Sequence, residues 1–382
     1  MAVSENDLAL DLRLSELCGL APLLSMVTPV NVKQARQRFF AGQEPGFEYR
    51  PLPDVDDLQE RLDEIFPQDA DDPSISTIVE RLHRELNLRL EMYRTRDTEK
   101  FLLVSVEMFG HVDEATLDLA NRILATEHAP GENEPTMSAS EFAMLARDEI
   151  GHYRRDYPEM HAKVKLSRSR PGVMVETGVL HIGEDTRVAH SRADQLLQHE
   201  VGTHIVTFEN GNAQPLHMLG LGLAGYDELQ EALGVLAEHL SGGLKTSRLR
   251  VLAYRVIAAH LRSEGAAFRE TFDRLADLGC GRRTAFSTTM RAYRSGGMTK
   301  DAIYLRGLAR LLSHLASGGQ LLPLFLGKIS FDSIPLVAEL REREVLVEPP
   351  LTPRFLSHPG AEERLSGIEA GRGLLEITGA AA

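Results

Sequence analysis

The segment Gln198-His199-Glu200-Val201-Gly202-Thr203-His204 puts two imidazoles and a carboxylate within two helical turns. Neutral imidazole nitrogen is a good ligand for zinc. A glutamate beside it that stays off the metal can act as general base toward an attacking water. The form is H-E-x-x-x-H, with the histidines five apart. Five residues rotate a side chain by roughly 140° on an ideal α-helix, against roughly 40° for four. To converge, the pair needs a π-type widening that absorbs one residue, or a second histidine placed where the helix ends. Gly202 lies between them and lowers the cost of such a distortion. Without a convergent partner, the pattern is equally that of a helix carrying two ordinary histidines.

A third ligand is sought in the next apolar-periodic segment, residues 226–240. Glu228, Glu231, Glu238 and His239 are its polar candidates. Glu231 and Glu238 are seven apart and share a helix face to within roughly 20°. One of them can bind metal while the other orients a ligand histidine from behind. A charged, solvated helix face is the plain alternative.

Working outward, the residues before the histidines change character. Within 162–183, Lys163-Val164-Lys165-Leu166, Gly172-Val173-Met174-Val175 and Val179-Leu180-His181-Ile182 read as short strands. Helical periodicity dominates elsewhere, at 8–20, 75–92, 113–124, 246–260, 266–278 and 300–315. Ser138 followed by Glu141 is a capping-box start. The expected class is α+β and predominantly helical, with a small sheet before the histidine helix. Residues 1–135 are expected to form an amino-terminal helical wall, 136–360 the catalytic domain and 361–382 a flexible tail. The loop at 128–135 is the expected hinge or edge.

Bulk properties narrow the function. Acids outnumber bases 56 to 42 among 382 residues, a net charge of −14, which disfavours non-specific nucleic-acid binding. Two isolated cysteines, Cys18 and Cys280, make no disulfide framework and point to a reducing compartment. The opening MAVSENDLAL carries acids in place of a basic run and an apolar run, so no secretory leader is expected. Apolar stretches are too short to span a bilayer. A cytoplasmic protein is the default expectation.

Further motifs follow in order: Asn210-Gly211, Gln214-Pro215, Gln230-Glu231, Arg291-Ala292-Tyr293-Arg294-Ser295-Gly296-Gly297, Thr299-Lys300-Asp301, Tyr304-Leu305-Arg306-Gly307 and Gly327-Lys328-Ile329. Across about 190–330 the chain resembles a family of bacterial proteins named for a Q-E-G-L-A motif and known as flavohemoglobin expression-modulating proteins. That family includes the eukaryotic microtubule-associated tyrosine carboxypeptidases, which remove a C-terminal Tyr from α-tubulin. The resemblance implies that His199, His204 and Glu231 bind one zinc ion per chain and that Glu200 is the catalytic base. Asn210 and Glu238 are expected to support the ligands from behind. The chain departs from the motif at Gln230-Glu231-Ala232-Leu233-Gly234, where Gly and Ala have exchanged places. Packing against the zinc helix is expected to differ there.

The roles imply a reaction. The tetrahedral oxyanion of peptide hydrolysis needs a donor besides the metal, with Tyr304 preferred over His239. A carboxypeptidase must also hold a free carboxylate, for which arginine offers a bidentate match. Arg291, Arg294, Arg306 and Lys300 are the candidates, each also readable as a surface or helix-terminal cation. Strands before a metal helix suggest a zincin-like metallopeptidase, with the cleft between sheet and helix. The leading expectation is a metallocarboxypeptidase acting on the C-terminus of a peptide or protein, with no nucleic-acid or membrane partner. An endopeptidase or aminopeptidase with the same chemistry competes with it. So does a regulatory or binding protein of low turnover that retains the zinc site, although retention of Glu200 argues against that.

Overall fold

The computed structural model describes residues 3–127, 134–168, 170, 172–242 and 244–378. Most of the loop expected as a hinge, 128–133, lies outside the described residues.

Helices begin where short polar side chains can take up their first N–H groups. Asp72 accepts from Ser74 and Ile75 to open Pro73–Arg94, whose Ile75, Ile78, Val79, Leu82, Leu86 and Leu90 form a buried stripe. Ser138 and Glu141 cap one another reciprocally and open Ala139–Asp156.

Among the described residues, five short strands form two small sheets. Strand β1 (Thr136–Ser138) pairs antiparallel with β5 (Arg187–Ala189). The other sheet has the order β2 (Lys163–Ser167), β4 (Val179–Gly183), β3 (Val173–Glu176). Here β2 runs parallel to β4, and β3 antiparallel to it with Val175 opposite Leu180. Leu180 and Ile182 are fully buried, as the period-two side-chain alternation of a strand demands. Strand β3 is therefore an edge, and it lines the main cleft. The architecture is predominantly helical α+β.

The helix Tyr226–Leu240 runs through the centre, buried at nearly every position from Leu229 onward. It packs on Ile303–Ala316, on Ala193–His199 and on the turn that follows the latter. One apolar core extends from Leu10 to Leu374. Phe39 of the amino-terminal region sits 5.1 Å from Phe268 and 4.8 Å from Phe272, ring to ring. The expected tail, 361–382, is described to residue 378. Helices Ala361–Glu369 and Leu374–Ile377 bury Ala361, Ile368 and Leu374, apolar residues that give it a surface to hold. Among the described residues, no helix is long and apolar enough to cross a membrane.

Candidate metal centre and active site

The histidine segment is an α-helix over Ala193–His199, a π-helix over Glu200–Ile205 and an α-helix again over Val206–Asn212. A π turn spans one more residue than an α turn, so histidines five apart face the same way. Thr203 Oγ1 donates to the Gln198 carbonyl inside the widened turn, at 3.1 Å. Gly202 serves this turn by packing. A Cβ there would lie 2.6 Å from Gln198 Oε1 and 3.2 Å from Phe355.

His199 Nε2 lies 3.6 Å and His204 Nε2 3.8 Å from the same oxygen of Glu231. One ligand atom from each of the three lies within 4.8 Å of the others. A tetrahedral zinc ion with bonds near 2.1 Å places its ligand atoms roughly 3.4 Å apart. The donor set, two imidazoles and a carboxylate, fits that ion and leaves a coordination position open.

Hydrogen bonds behind the rings fix which nitrogen faces the centre. His199 Nδ1 donates to Glu238 Oε1 at 2.9 Å. His204 Nδ1 faces Gln230 Oε1 at 3.4 Å, an oxygen that also accepts from Thr207 at 2.7 Å. Each ring thus turns Nε2 toward Glu231. Lys300 Nζ lies 3.1 Å from Asp227 and 3.7 Å from the other oxygen of Glu231.

Buried charges of both signs meet at the centre. Burial would depress His199, yet Glu231 and Glu238 hold it up at about 9. Burial takes His204 down to about 4, against the pull of Glu231. Burial pushes Glu200 up to about 7, with His199 opposing. Glu231 stays well below the usual carboxylate range despite burial, because His199 and Lys300 face it. The Glu200 side chain makes no hydrogen bond or ion pair among the described residues, and it lines a cleft of about 400 Å³ together with both histidines and Glu231.

The family model for microtubule-associated tyrosine carboxypeptidases matches residues 37–371. The chain belongs to this family. A mouse (Mus musculus) relative, microtubule-associated tyrosine carboxypeptidase 1, is 30% identical over 200 residues. The match spans 46% of this chain and 41% of that protein, so the chain covers less than half of the relative's length. Among solved structures, a putative lipoprotein from Colwellia psychrerythraea aligns with a TM-score of 0.44 at 13% identity, over 88% of this chain and 69% of that one. A likeness of that degree carries no weight here.

Of the family motifs read in the sequence, R-A-Y-R-S-G-G ends the helix Arg282–Tyr293 and turns sharply. Ser295 has φ 58°, followed by Gly296 at 108° and Gly297 at 134°. A serine in the left-handed region is held there by its neighbours. Its N–H donates to Tyr49 Oη at 2.7 Å and its Oγ to the Val27 carbonyl at 3.3 Å. This loop delivers Arg294 into the cleft. Its guanidinium donates to Thr28 Oγ1 at 3.1 Å and meets Met298 Sδ at 3.2 Å, with no carboxylate partner among the described residues. Burial and Arg291 bring it down to about 10. Arg291 also lines the cleft but is clamped to Asp301, which Arg255 shares at 3.7 Å. Tyr304 lines the same wall beneath Arg255, 4.7 Å from its ring centroid.

Other expected residues are engaged otherwise. Arg306, expected to bind substrate, donates to the Phe109 carbonyl and to Glu228, both at 2.8 Å. It lines a separate cavity of about 310 Å³ and serves the C-terminal end of the helix Glu99–Phe109, where a cation is favourable. Lys300 lines the cleft but is almost fully buried, its charge taken up by Asp227 and Glu231. Asn210, expected to support a ligand, instead bonds the Phe325 carbonyl and both backbone groups of Leu351 at 2.8–2.9 Å. Glu228 is spent on Arg306 and Arg310, and His239 is not among the residues that line the cleft. Gln230, Asp227, Arg255 and Lys328 were not singled out for the site from sequence. Gln230 had a signal, sitting beside Glu231 in the motif. The partners of the other three come from distant segments.

Proposed function

We propose that this chain is a zinc-dependent carboxypeptidase of zincin-like build, with His199, His204 and Glu231 holding the ion. The observation that carries this reading is a single cleft holding both the His-His-Glu group and the arginine end around Arg294. Zinc, when bound, lowers the pKa of a water and polarises the scissile carbonyl.

The remaining work falls to side chains of the chain itself. Glu200, unpaired and raised by burial, takes the proton of the attacking water and passes it to the leaving amine. Tyr304 supplies an O–H donor toward the developing oxyanion. Arg294, whose partners are neutral, offers its fork to the terminal carboxylate. Arg291 and Arg255 reinforce the potential there, since Asp301 cannot balance three guanidiniums. The edge of β3 gives an extended peptide unpaired backbone groups to pair with. Leu24, Thr28, Pro29 and Val32 of the amino-terminal region close the cleft wall. A closed cationic end suits an exopeptidase that reads C-termini better than an endopeptidase. Buried, unpaired Cys18 and Cys280 are consistent with action in the cytoplasm.

The test uses peptides with varied last residues, each as the free acid and as the C-terminal amide, with and without chelator. Release of the last residue from free acids alone, abolished by chelator, is expected. Equal cleavage of amides, or cleavage at internal bonds, overturns the carboxypeptidase assignment.

A further inference from the structure

We propose that Arg248 is a positioning residue that sets metal affinity at His199 through Glu238. The proposal rests on the zinc reading of His199, His204 and Glu231.

Glu238 is almost fully buried, and its acceptor positions are taken. Oε1 receives His199 Nδ1 at 2.9 Å and Arg248 Nη2 at 2.9 Å. Oε2 receives Arg248 Nε at 3.0 Å and, from further off, Arg192 Nη2 at 3.4 Å. A two-toothed guanidinium fixes the plane of a carboxylate as well as its charge. A carboxylate so held can only accept, so His199 keeps its proton on Nδ1 and presents the Nε2 lone pair to the centre.

The location of Arg248 has no explanation within its own helix. It lies in the first turn of Thr246–Ser263, which has Lys245 at its cap and no acid in that turn. Cations are unfavourable at this positive end of the helix dipole. The pairing with Glu238 offsets that. Arg248 lies outside the catalytic cleft and lines a separate cavity of about 180 Å³ with Arg192, Lys245 and Glu238. A change there leaves the substrate surface intact. Without Arg248, Glu238 is buried with one long contact to the half-exposed Arg192, and it is free to rotate away from His199.

The test is competition of the full chain with a chromophoric chelator for zinc, in wild type, Arg248→Lys and Arg248→Met. Wild type is expected to bind about one zinc, and Arg248→Met to bind about 10–100-fold more weakly. Arg248→Lys, which keeps the charge and loses the fork, is expected to fall between. Cobalt substitution adds a spectroscopic readout: the visible bands of the two variants shift as His199 reorients. Unchanged zinc affinity in folded Arg248→Lys and Arg248→Met, with only a lower melting temperature for the metal-free proteins, makes Arg248 merely structural and overturns the proposal. If Arg248→Met does not fold, Arg248→Lys decides alone. A wild type that binds no zinc, unaltered by His199→Ala, fails the zinc reading itself and is distinguishable from failure of the arginine.

Discussion

Gly234 lies directly under the His199 ring. A Cβ there would come within 2.6 Å of Cε1 and 2.8 Å of both ring nitrogens. The motif that the chain resembles would place alanine here, where this chain has glycine. Glycine leaves His199 the space its ring occupies. Gly234→Ala is expected to cost about 1–3 kcal/mol by overpacking and to weaken zinc binding. Chelator competition and denaturant unfolding measure both, and wild-type values for the variant would show that the ring does not need the space. Glu200→Gln removes the base and leaves the ligands. Zinc content is expected to stay at about one per chain, while kcat drops about 10²–10⁴-fold. Hydrolysis at the wild-type rate would sink the role given to Glu200.

Among the elements, the π turn matters most. Two histidines five apart cannot converge on an undistorted α-helix; of the two ways out, a widened turn or a helix end at the second histidine, the structure takes the first at Glu200–Ile205. The three strands between Lys163 and Gly183 were readable for the same reason, because side-chain period is a local property. Local pattern does not say what a polar residue on a helix will meet. Asn210, one turn beyond the histidines, tied off two distant carbonyls. Asn210→Ala is therefore expected to lower stability by about 2–3 kcal/mol through the backbone groups it leaves unpaired. Zinc affinity is expected to be unchanged. A selective loss of zinc by a protein of normal stability would return Asn210 to the metal centre.

For the molecule as a whole, the amino-terminal region and the remainder share one core. Phe39 is enclosed by Phe268, Phe272 and Phe286, and Phe101 is packed beside Gly296 in the loop that carries Arg294. A fragment beginning at residue 136 is expected to show no cooperative thermal unfolding, and the full chain a single transition. A stably folded fragment would show that the chain from residue 136 folds as an independent domain. The same shared packing positions the cationic end of the cleft. Arg294→Met is expected to raise KM for free-acid peptides about 10²-fold, a loss of ~3 kcal/mol within the range for removing a hydrogen bond to a charged group. It is expected to leave zinc content alone. An unchanged KM assigns the terminal carboxylate to another group.

Sequence by itself determined the features set by short-range geometry: the helical class, the small sheet and the need for a distortion between the two histidines. Tertiary structure decided which of the candidate cations makes no carboxylate contact among the described residues. Arg291, Arg294 and Arg306 are chemically the same residue, and only long-range packing set one against Asp301, one against neutral Thr28 and one against Glu228. It likewise chose Arg248, from a neighbouring helix, as the partner of Glu238. A guanidinium carries its charge in every fold, and only a folded chain decides what that charge faces.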